Sequence, residues 1–312
     1  MNLDVPHVRT APRRVRSKVG HFVSDVGYDG FADFLDAYRA GMAQLPPFDA
    51  QTDVVTTFGS VRICRFDGRP AAPPVLLLPG RHASTPMWRA NLAPIIAQRT
   101  VYSVDLLGEA GFSVQERPIT SADEQAQWLA EAVEALGLDR VHAMGASIGG
   151  WTAVNWAVRR PGRLASLALL DPVFTFARIP LRTLLFSAAM VSPRVPQRIR
   201  QSFLRWVSGG AAVDDSVPEA RLISAAMVDY VVRLPPPKAI TDDQLRGLDV
   251  PVLTFLGGRS VMLDAAKAAQ RARTLLPHGQ IEVYPEASHA INGEYAGEIA
   301  ERAQRFWDAV DA

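Results

Sequence analysis

The sequence predicts an α/β architecture, a mostly parallel, doubly wound sheet with a helical cap inserted between two of its strands. Three observations lead there. After Pro73-Pro74, short and largely apolar runs recur at Val75–Leu78, Val101–Val104, Val141–Met144, Leu167–Leu170, Val252–Leu256 and Ile281–Tyr284. Runs without polar alternation suit parallel strands, because helices cover both faces of such a sheet. Stretches of helical length and spacing separate them, at Trp88–Ala97, Ala122–Leu136, Gly150–Val158 and Ala265–Leu275, so strand and helix alternate. From Pro172 to Ile240 the alternation stops: no clear strand is visible, and helical patches are divided by Pro180, Pro193, Pro196 and Pro235-Pro236-Pro237.

Upstream, Arg9, Arg13, Arg14, Arg16 and Lys18 surround Pro12, a composition that packs poorly and predicts a mobile arm. From Gly30, the residues Phe31, Phe34, Leu35, Tyr38, Met42 and Leu45 recur at spacings of three and four up to Pro46-Pro47, which predicts one amphipathic helix. Val54 to Thr57 and Val61 to Phe66 flank Gly59 and read as a hairpin. The expected division is an N-terminal arm and helix over 1–52, a first core part over 53–171, a cap over 172–240 and a second core part over 241–312.

Composition narrows the function. With 33 Lys+Arg against 32 Asp+Glu the net charge is +1, so no global field argues for nucleic acid. A single cysteine, Cys64, cannot form an internal disulfide or a cysteine-based zinc cluster. The residues from Met1 to Gly20 lack the apolar stretch of a secretory signal, so the expected compartment is the cytoplasm. Gly108-Glu109-Ala110-Gly111 lacks the second glycine of a dinucleotide fingerprint, and there is no Walker A or His-Glu-x-x-His string. No metal or organic cofactor is expected.

The chemistry-bearing string is Gly145-Ala146-Ser147-Ile148-Gly149-Gly150, directly after the run Val141–Met144 and before an apolar helix. Glycines around Ser147 permit a tight strand-to-helix turn that exposes its hydroxyl, with the helix N-terminus behind it. A serine hydroxyl needs a base. Among the six histidines, His289 follows the last strand and the turn Pro285-Glu286-Ala287-Ser288. His7 falls in the arm, His21 begins a helix, His142 lies in a strand and His278 on a surface turn, while His82 alone of these is near the site. Asp105, at the end of Val101–Val104, reads as structural.

In these features the chain resembles the α/β-hydrolase family from about Tyr38 to its end. It is similar to bacterial carboxylesterases of the naproxen-esterase type in its leading helix, in Thr57-Phe58-Gly59-Ser60-Val61, and in Pro79-Gly80 followed by Ser84-Thr85-Pro86-Met87-Trp88. The resemblance implies that Ser147 is the nucleophile, His289 its base, and the main-chain N–H groups of Arg81 and Ile148 the oxyanion donors. Many relatives carry His-Gly where this chain has Pro79-Gly80; the donor is a main-chain group, so the change alters packing rather than chemistry.

The acid departs from the pattern. Relatives usually place Asp or Glu in a Gly-x-x-Asp/Glu context after the penultimate strand, and this chain has Gly257-Gly258-Arg259-Ser260. Losing the group that orients the histidine can cost on the order of 10⁴ in turnover. Two carboxylates are available. Asp171 ends the run Leu167–Leu170, where some hydrolases of this fold, certain haloalkane dehalogenases among them, place their acid; in the family the loop ends of this strand and the next are neighbours, so the resemblance makes Asp171 the candidate acid, its alternative role being a local Asp-Pro turn. Asp264 reads as the N-cap of Ala265–Leu275.

The implied function is a serine hydrolase cleaving a small or medium hydrophobic ester, thioester or lactone. Serine at 260 leaves two alternatives: a non-hydrolytic enzyme of the same fold, for cyclisation, proton transfer or C–C cleavage, or a ligand-binding relative without turnover. The expected partner is a small hydrophobic substrate; oligomeric state is not legible. The stretch between Asp171 and Asp214 has no acidic residue and carries Arg178, Arg182, Arg194, Arg198, Arg200 and Arg205 among large apolar residues. Such a segment either packs its apolar face on the core with the arginines solvated or contacts an anionic membrane surface or amphiphile.

Overall fold

A computed structural model describes residues 3–69, 72–192, 194–211 and 217–312. Met1, Pro193 and Asp214, used above as landmarks, lie outside the described residues. In chain order the elements are β1 (Thr10–Ala11), β2 (His21–Asp25), β3 (Tyr28–Asp29), α1 (Gly30–Met42), β4 (Ala50–Thr56), β5 (Gly59–Phe66), β6 (Val75–Leu78), α2 (Arg89–Ile96), β7 (Val101–Val104), β8 (Val114–Gln115), α3 (Ala122–Ala135), β9 (Val141–Ala146), α4 (Ile148–Arg159) and β10 (Leu164–Leu170). The cap then supplies α5 (Leu181–Met190), α6 (Gln197–Val207), α7 (Pro218–Asp229) and β11 (Tyr230–Val231). The chain closes with α8 (Asp242–Arg246), β12 (Val252–Gly257), α9 (Ala265–Leu275), β13 (Gly279–Tyr284), α10 (Ile291–Glu294) and α11 (Ala296–Asp311).

Every strand expected after Pro73-Pro74 lies in one nine-stranded sheet, ordered β13-β12-β10-β9-β6-β7-β5-β4, with β8 paired to β5. The pairs from β7 through β13 are parallel, and the β4–β5 hairpin joins antiparallel at the opposite edge. Strand residues alternate between two cores. Leu76, Leu78, Leu167 and Leu169 pack with Trp128 of α3 and the alanines of α9. Val75, Leu77, Ala168 and Leu170 pack with Phe34 of α1, Leu92 of α2 and Trp307 of α11. Apolar side chains are therefore required on both faces of each central strand, and that requirement is what the uninterrupted runs record.

The N-terminal segment differs from the expected mobile arm. β1, β2, β3 and β11 form a second, four-stranded sheet, and His21 lies in a strand, fully buried, rather than at a helix start. Phe22 is 1% exposed, its ring 4.8 Å from Phe34 and 4.9 Å from Tyr230, and the Arg13 guanidinium donates to the Val228 carbonyl. Burial of Val8, Val19, Phe22 and Val23 supplies the hydrophobic stabilisation that the basic, proline-containing composition conceals. β11, where no strand was expected, exists because β2 offers it an antiparallel edge. The arm and the cap are thereby joined, and α1 packs on α7.

One buried polar cluster ties the C-terminal helix to the sheet. Arg99 is 1% exposed and donates to Asp308 at 2.8 Å, to Asp311 at 2.7 Å and to the Pro73 carbonyl at 3.1 Å. The same Asp311 lies 3.2 Å from Nε2 of His142, whose Nδ1 is 2.8 Å from Ser166 Oγ. Burial pushes the His142 imidazole down to about 4, against the opposing pull of Asp311. A histidine whose folded pKa lies below its unfolded value binds its proton more readily when unfolded, so its stabilising contribution is complete above about 6.5 and is lost as pH falls toward 4. Urea unfolding at pH 7 and pH 5 should show wild type losing about 2 kcal/mol more than His142→Gln; equal losses would remove His142 as the cause.

Candidate active site

The site is assembled at the carboxyl ends of four strands that are neighbours in the sheet, β9, β10, β12 and β13. Ser147 stands between β9 and α4 at φ 53°, ψ −116°, a conformation that L-residues avoid and that costs on the order of 1–3 kcal/mol. Two features hold it. Its main-chain N–H donates to the Leu170 carbonyl at 2.9 Å, and α4 approaches β6 so closely that a Cβ at Gly149 would lie 2.0 Å from the Leu78 carbonyl oxygen. The Ser147 hydroxyl makes no capping bond to α4, which leaves it free to meet a side chain above the sheet.

That side chain is His289, whose Nε2 lies 2.9 Å from Ser147 Oγ. The loop after β13 is fixed from below: Glu294 accepts from the main-chain N–H and the hydroxyl of Ser288, each at 2.7 Å, and the Ser288 hydroxyl accepts from Ala290 N at 3.1 Å. On the other side of the ring, Nδ1 is 2.6 Å from Oδ2 of Asp171. Asp171 is fully buried and sits at φ 44°, in the left-handed region that aspartate tolerates better than most residues. Its side chain does not close a local Asp-Pro turn. It accepts from Gly257 N at 3.0 Å and from the Ser260 hydroxyl at 2.6 Å, both on the β12 side.

Of the sequence-predicted residues, Ser147, His289 and Asp171 come together and Asp264 does not. Asp264 caps α9, accepting from Lys267 N at 3.1 Å and lying 3.2 Å from its Nζ; the Lys267 main-chain N–H holds its carboxyl below the usual range. Ser260, which the sequence presents as a vacancy, is a donor to Asp171, and it is itself positioned by Met262 N at 3.2 Å. The signal available was chemical: a hydroxyl at the expected acid position complements a carboxylate arriving from the adjacent strand.

Opposite His289, the loop after β6 lies against Ser147, with a Cβ at Gly80 falling 3.6 Å from Ser147 Cβ. Arg81 and Ile148, whose main-chain N–H groups are the expected oxyanion donors, line one small cavity with Leu106, Leu107, Trp151 and Leu234. The Arg81 guanidinium is 3.4 Å from Glu109, a buried carboxyl that sequence reading passed over; desolvation raises its pKa and Arg81 opposes this. His82 adopts φ 58°, and burial, followed by the Arg81 charge, pushes its imidazole down to about 3. Asp105 is structural as expected, accepting from Thr85 N and Oγ1 at 2.9 Å and from Phe112 N at 2.8 Å. Among the described residues no group of His, Cys, Asp or Glu stands in a metal-binding arrangement. The Cys64 thiol is buried in β5, and burial raises its pKa to about 12.

A family model described as the alpha/beta hydrolase fold matches residues 73–282. The chain belongs to the α/β-hydrolase family. Its curated relatives include the uncharacterized carboxylesterase nap of Bacillus subtilis, 29% identical over 88% of this chain and 92% of that protein. Carboxylesterase YbfK of the same organism is 26% identical over 88% of this chain and 93% of the relative. Among solved structures, naproxen esterase (carboxylesterase NP) from Bacillus subtilis superposes with a TM-score of 0.82 at 26% identity, covering 90% of this α/β hydrolase and 99% of that chain.

The elbow geometry makes a stability prediction. Gly149→Ala forces a Cβ onto the Leu78 carbonyl and should destabilise the fold by at least about 3 kcal/mol, whereas Gly80→Ala enters ordinary contact distance and should stay within about 1 kcal/mol of wild type. Chemical denaturation of both variants checks this, and equal midpoints would contradict it.

Proposed function

We propose that the chain is a serine ester hydrolase acting through an acyl-enzyme on Ser147. The observation that carries this reading is the continuous hydrogen-bonded line from Ser147 Oγ to His289 Nε2, at 2.9 Å, and from His289 Nδ1 to Asp171 Oδ2, at 2.6 Å. Carboxylesterases that match most of the chain support the ester class.

In this mechanism Ser147 Oγ attacks the ester carbonyl while His289 Nε2 takes the hydroxyl proton. The Asp171 carboxylate holds the ring in the tautomer that presents a bare Nε2 and then stabilises the imidazolium. The N–H groups of Arg81 and Ile148 receive the oxyanion, aided by the positive end of α4. As the tetrahedral intermediate collapses, His289 returns the proton to the leaving alcohol. Water, deprotonated by the same nitrogen, then attacks the acyl carbonyl and Ser147 is released. Leu106, Leu107 and Leu234 beside the oxyanion position favour a small or medium hydrophobic ester. No metal or organic cofactor enters any step, and a cytoplasmic location is part of this proposal.

The two alternative readings drew their force from the missing carboxylate at 260. With Asp171 bonded to His289 and Ser260 bonded to Asp171, the serine no longer argues for them.

Steady-state hydrolysis of a short-chain chromogenic ester, with intact-mass analysis after fluorophosphonate treatment, tests the assignment. Wild type should label once and Ser147→Ala not at all. Asp171→Asn should lower kcat by on the order of 10³–10⁴. Ser260→Ala removes one hydrogen bond to a charged group and should lower kcat about tenfold with little change in KM. Labelling that persists in Ser147→Ala, or an Asp171→Asn variant with wild-type kcat, would overturn the mechanism.

A further inference from the structure

The cap carries an outward face that the proposed chemistry does not use. Of the eleven large hydrophobic residues exposed among those described, seven lie between Leu181 and Trp206: Leu181, Leu184, Leu185, Phe186, Val191, Ile199 and Trp206. Leu181 is 69% exposed and Leu185 63%. The expected packing of this segment on the core holds for Phe176 and Met190, which are buried, but not for these seven. α5 and α6 lie together, with the rings of Phe186 and Trp206 at 6.3 Å, so the exposed apolar residues of the two helices meet there. A patch of this kind on a soluble fold marks a contact surface.

The pair is fixed as a unit. Arg200, 4% exposed, donates to the carbonyls of Met190, Ser192 and Val195 at 3.1–3.2 Å and closes the turn between the two helices. At one end Thr183 Oγ1 donates to the Val261 carbonyl at 2.8 Å, next to Ser260. At the other, Gly209 approaches Ser288 so closely that a Cβ there would lie 2.7 Å from Ser288 Cβ, next to His289. The patch therefore sits on two helices whose bases rest on the loops that hold the acid's donor and the histidine.

The charges carried by α5, α6 and the turn between them have one sign. Arg178, Arg182, Arg194, Arg198 and Arg205 are exposed, and none of them forms an ion pair among the described residues. No acidic residue occurs between Asp171 and Asp214. This combination selects among occupants. A second copy packed about a two-fold axis would place like charges against one another, whereas an anionic bilayer offers phosphates to the arginines and an acyl boundary to Leu, Phe and Trp side chains.

We propose that the outer face of α5 and α6 docks on an anionic lipid surface, with Leu184, Leu185, Phe186 and Trp206 entering the headgroup boundary and Arg182, Arg194, Arg198 and Arg205 meeting lipid phosphates. Docking there brings the loops of Ser260 and His289 to the lipid–water interface, where apolar esters concentrate. The binding step does not depend on Ser147 chemistry.

Flotation with large unilamellar vesicles tests it, using phosphatidylcholine alone and phosphatidylcholine with phosphatidylglycerol. Wild type should bind the anionic vesicles and not the neutral ones, with binding weakened by added salt. The triple charge reversal Arg194→Glu, Arg198→Glu and Arg205→Glu should lower the partition coefficient by at least about tenfold. Leu185→Ser with Phe186→Ser should also weaken it. Both variants should keep wild-type hydrolysis of a water-soluble ester, which reports an intact fold. Absence of binding to anionic vesicles, or binding unaffected by the charge reversal, overturns the proposal. So does a concentration-dependent dimer in sedimentation that Leu185→Ser and Phe186→Ser abolish, since the face would then be covered by a second copy.

Discussion

A carboxylate removed from water costs several kcal/mol unless donors replace its hydration, and Asp171 is buried completely. Three groups replace that hydration: the Gly257 main-chain N–H, the Ser260 hydroxyl and Nδ1 of His289. Two of these come from the β12 side and one from the loop after β13, so the carboxylate joins the ends of three strands. The orientation of His289, and through it the contact with Ser147, depends on this one satisfied charge. The strained backbone at Ser147 and at Asp171 is held by the same neighbourhood, since Ser147 N bonds the Leu170 carbonyl and Asp171 N bonds the Phe255 carbonyl at 2.8 Å.

Sheet order explains how a carboxylate at the end of β10 reaches His289. β10 and β12 are adjacent and parallel, with Leu170 opposite Phe255, so their carboxyl ends open on the same side of His289. A carboxylate from either strand can reach Nδ1, and the strand that does not supply it can supply a donor. Ser260 fills that complementary role. A second acid there would face Asp171 at hydrogen-bond distance, and two adjacent carboxylates cannot both ionise without a large pKa shift.

The sequence made the central sheet legible because each strand must be apolar on both faces, and that demand leaves runs such as Val75–Leu78 with no polar position. Ser147 was legible because a strand, two flanking glycines and a helix leave few other conformations. Asp171 was legible as the candidate acid from its place at the end of the strand beside β12, while Asp264 was legible as an N-cap; that its carboxylate meets His289 rather than closing a local turn depends on tertiary contacts with Gly257 and Ser260. β2 was hidden for a different reason. His21 and Phe22 pair with Val231 and Tyr230, more than 200 positions away, and no local periodicity encodes that contact. Ser260 was seen as a loss because a hydroxyl acquires its role only from the carboxylate beside it.

The central claim is that Asp171 holds the proton-bearing face of His289. Low-field proton NMR observes that hydrogen bond directly, as a strongly deshielded ring N–H resonance that disappears in His289→Gln and so is assigned to His289. The account predicts that this resonance is lost in Asp171→Asn and unchanged in Asp264→Asn. Its persistence in Asp171→Asn, or its loss in Asp264→Asn, would contradict the assignment of the acid.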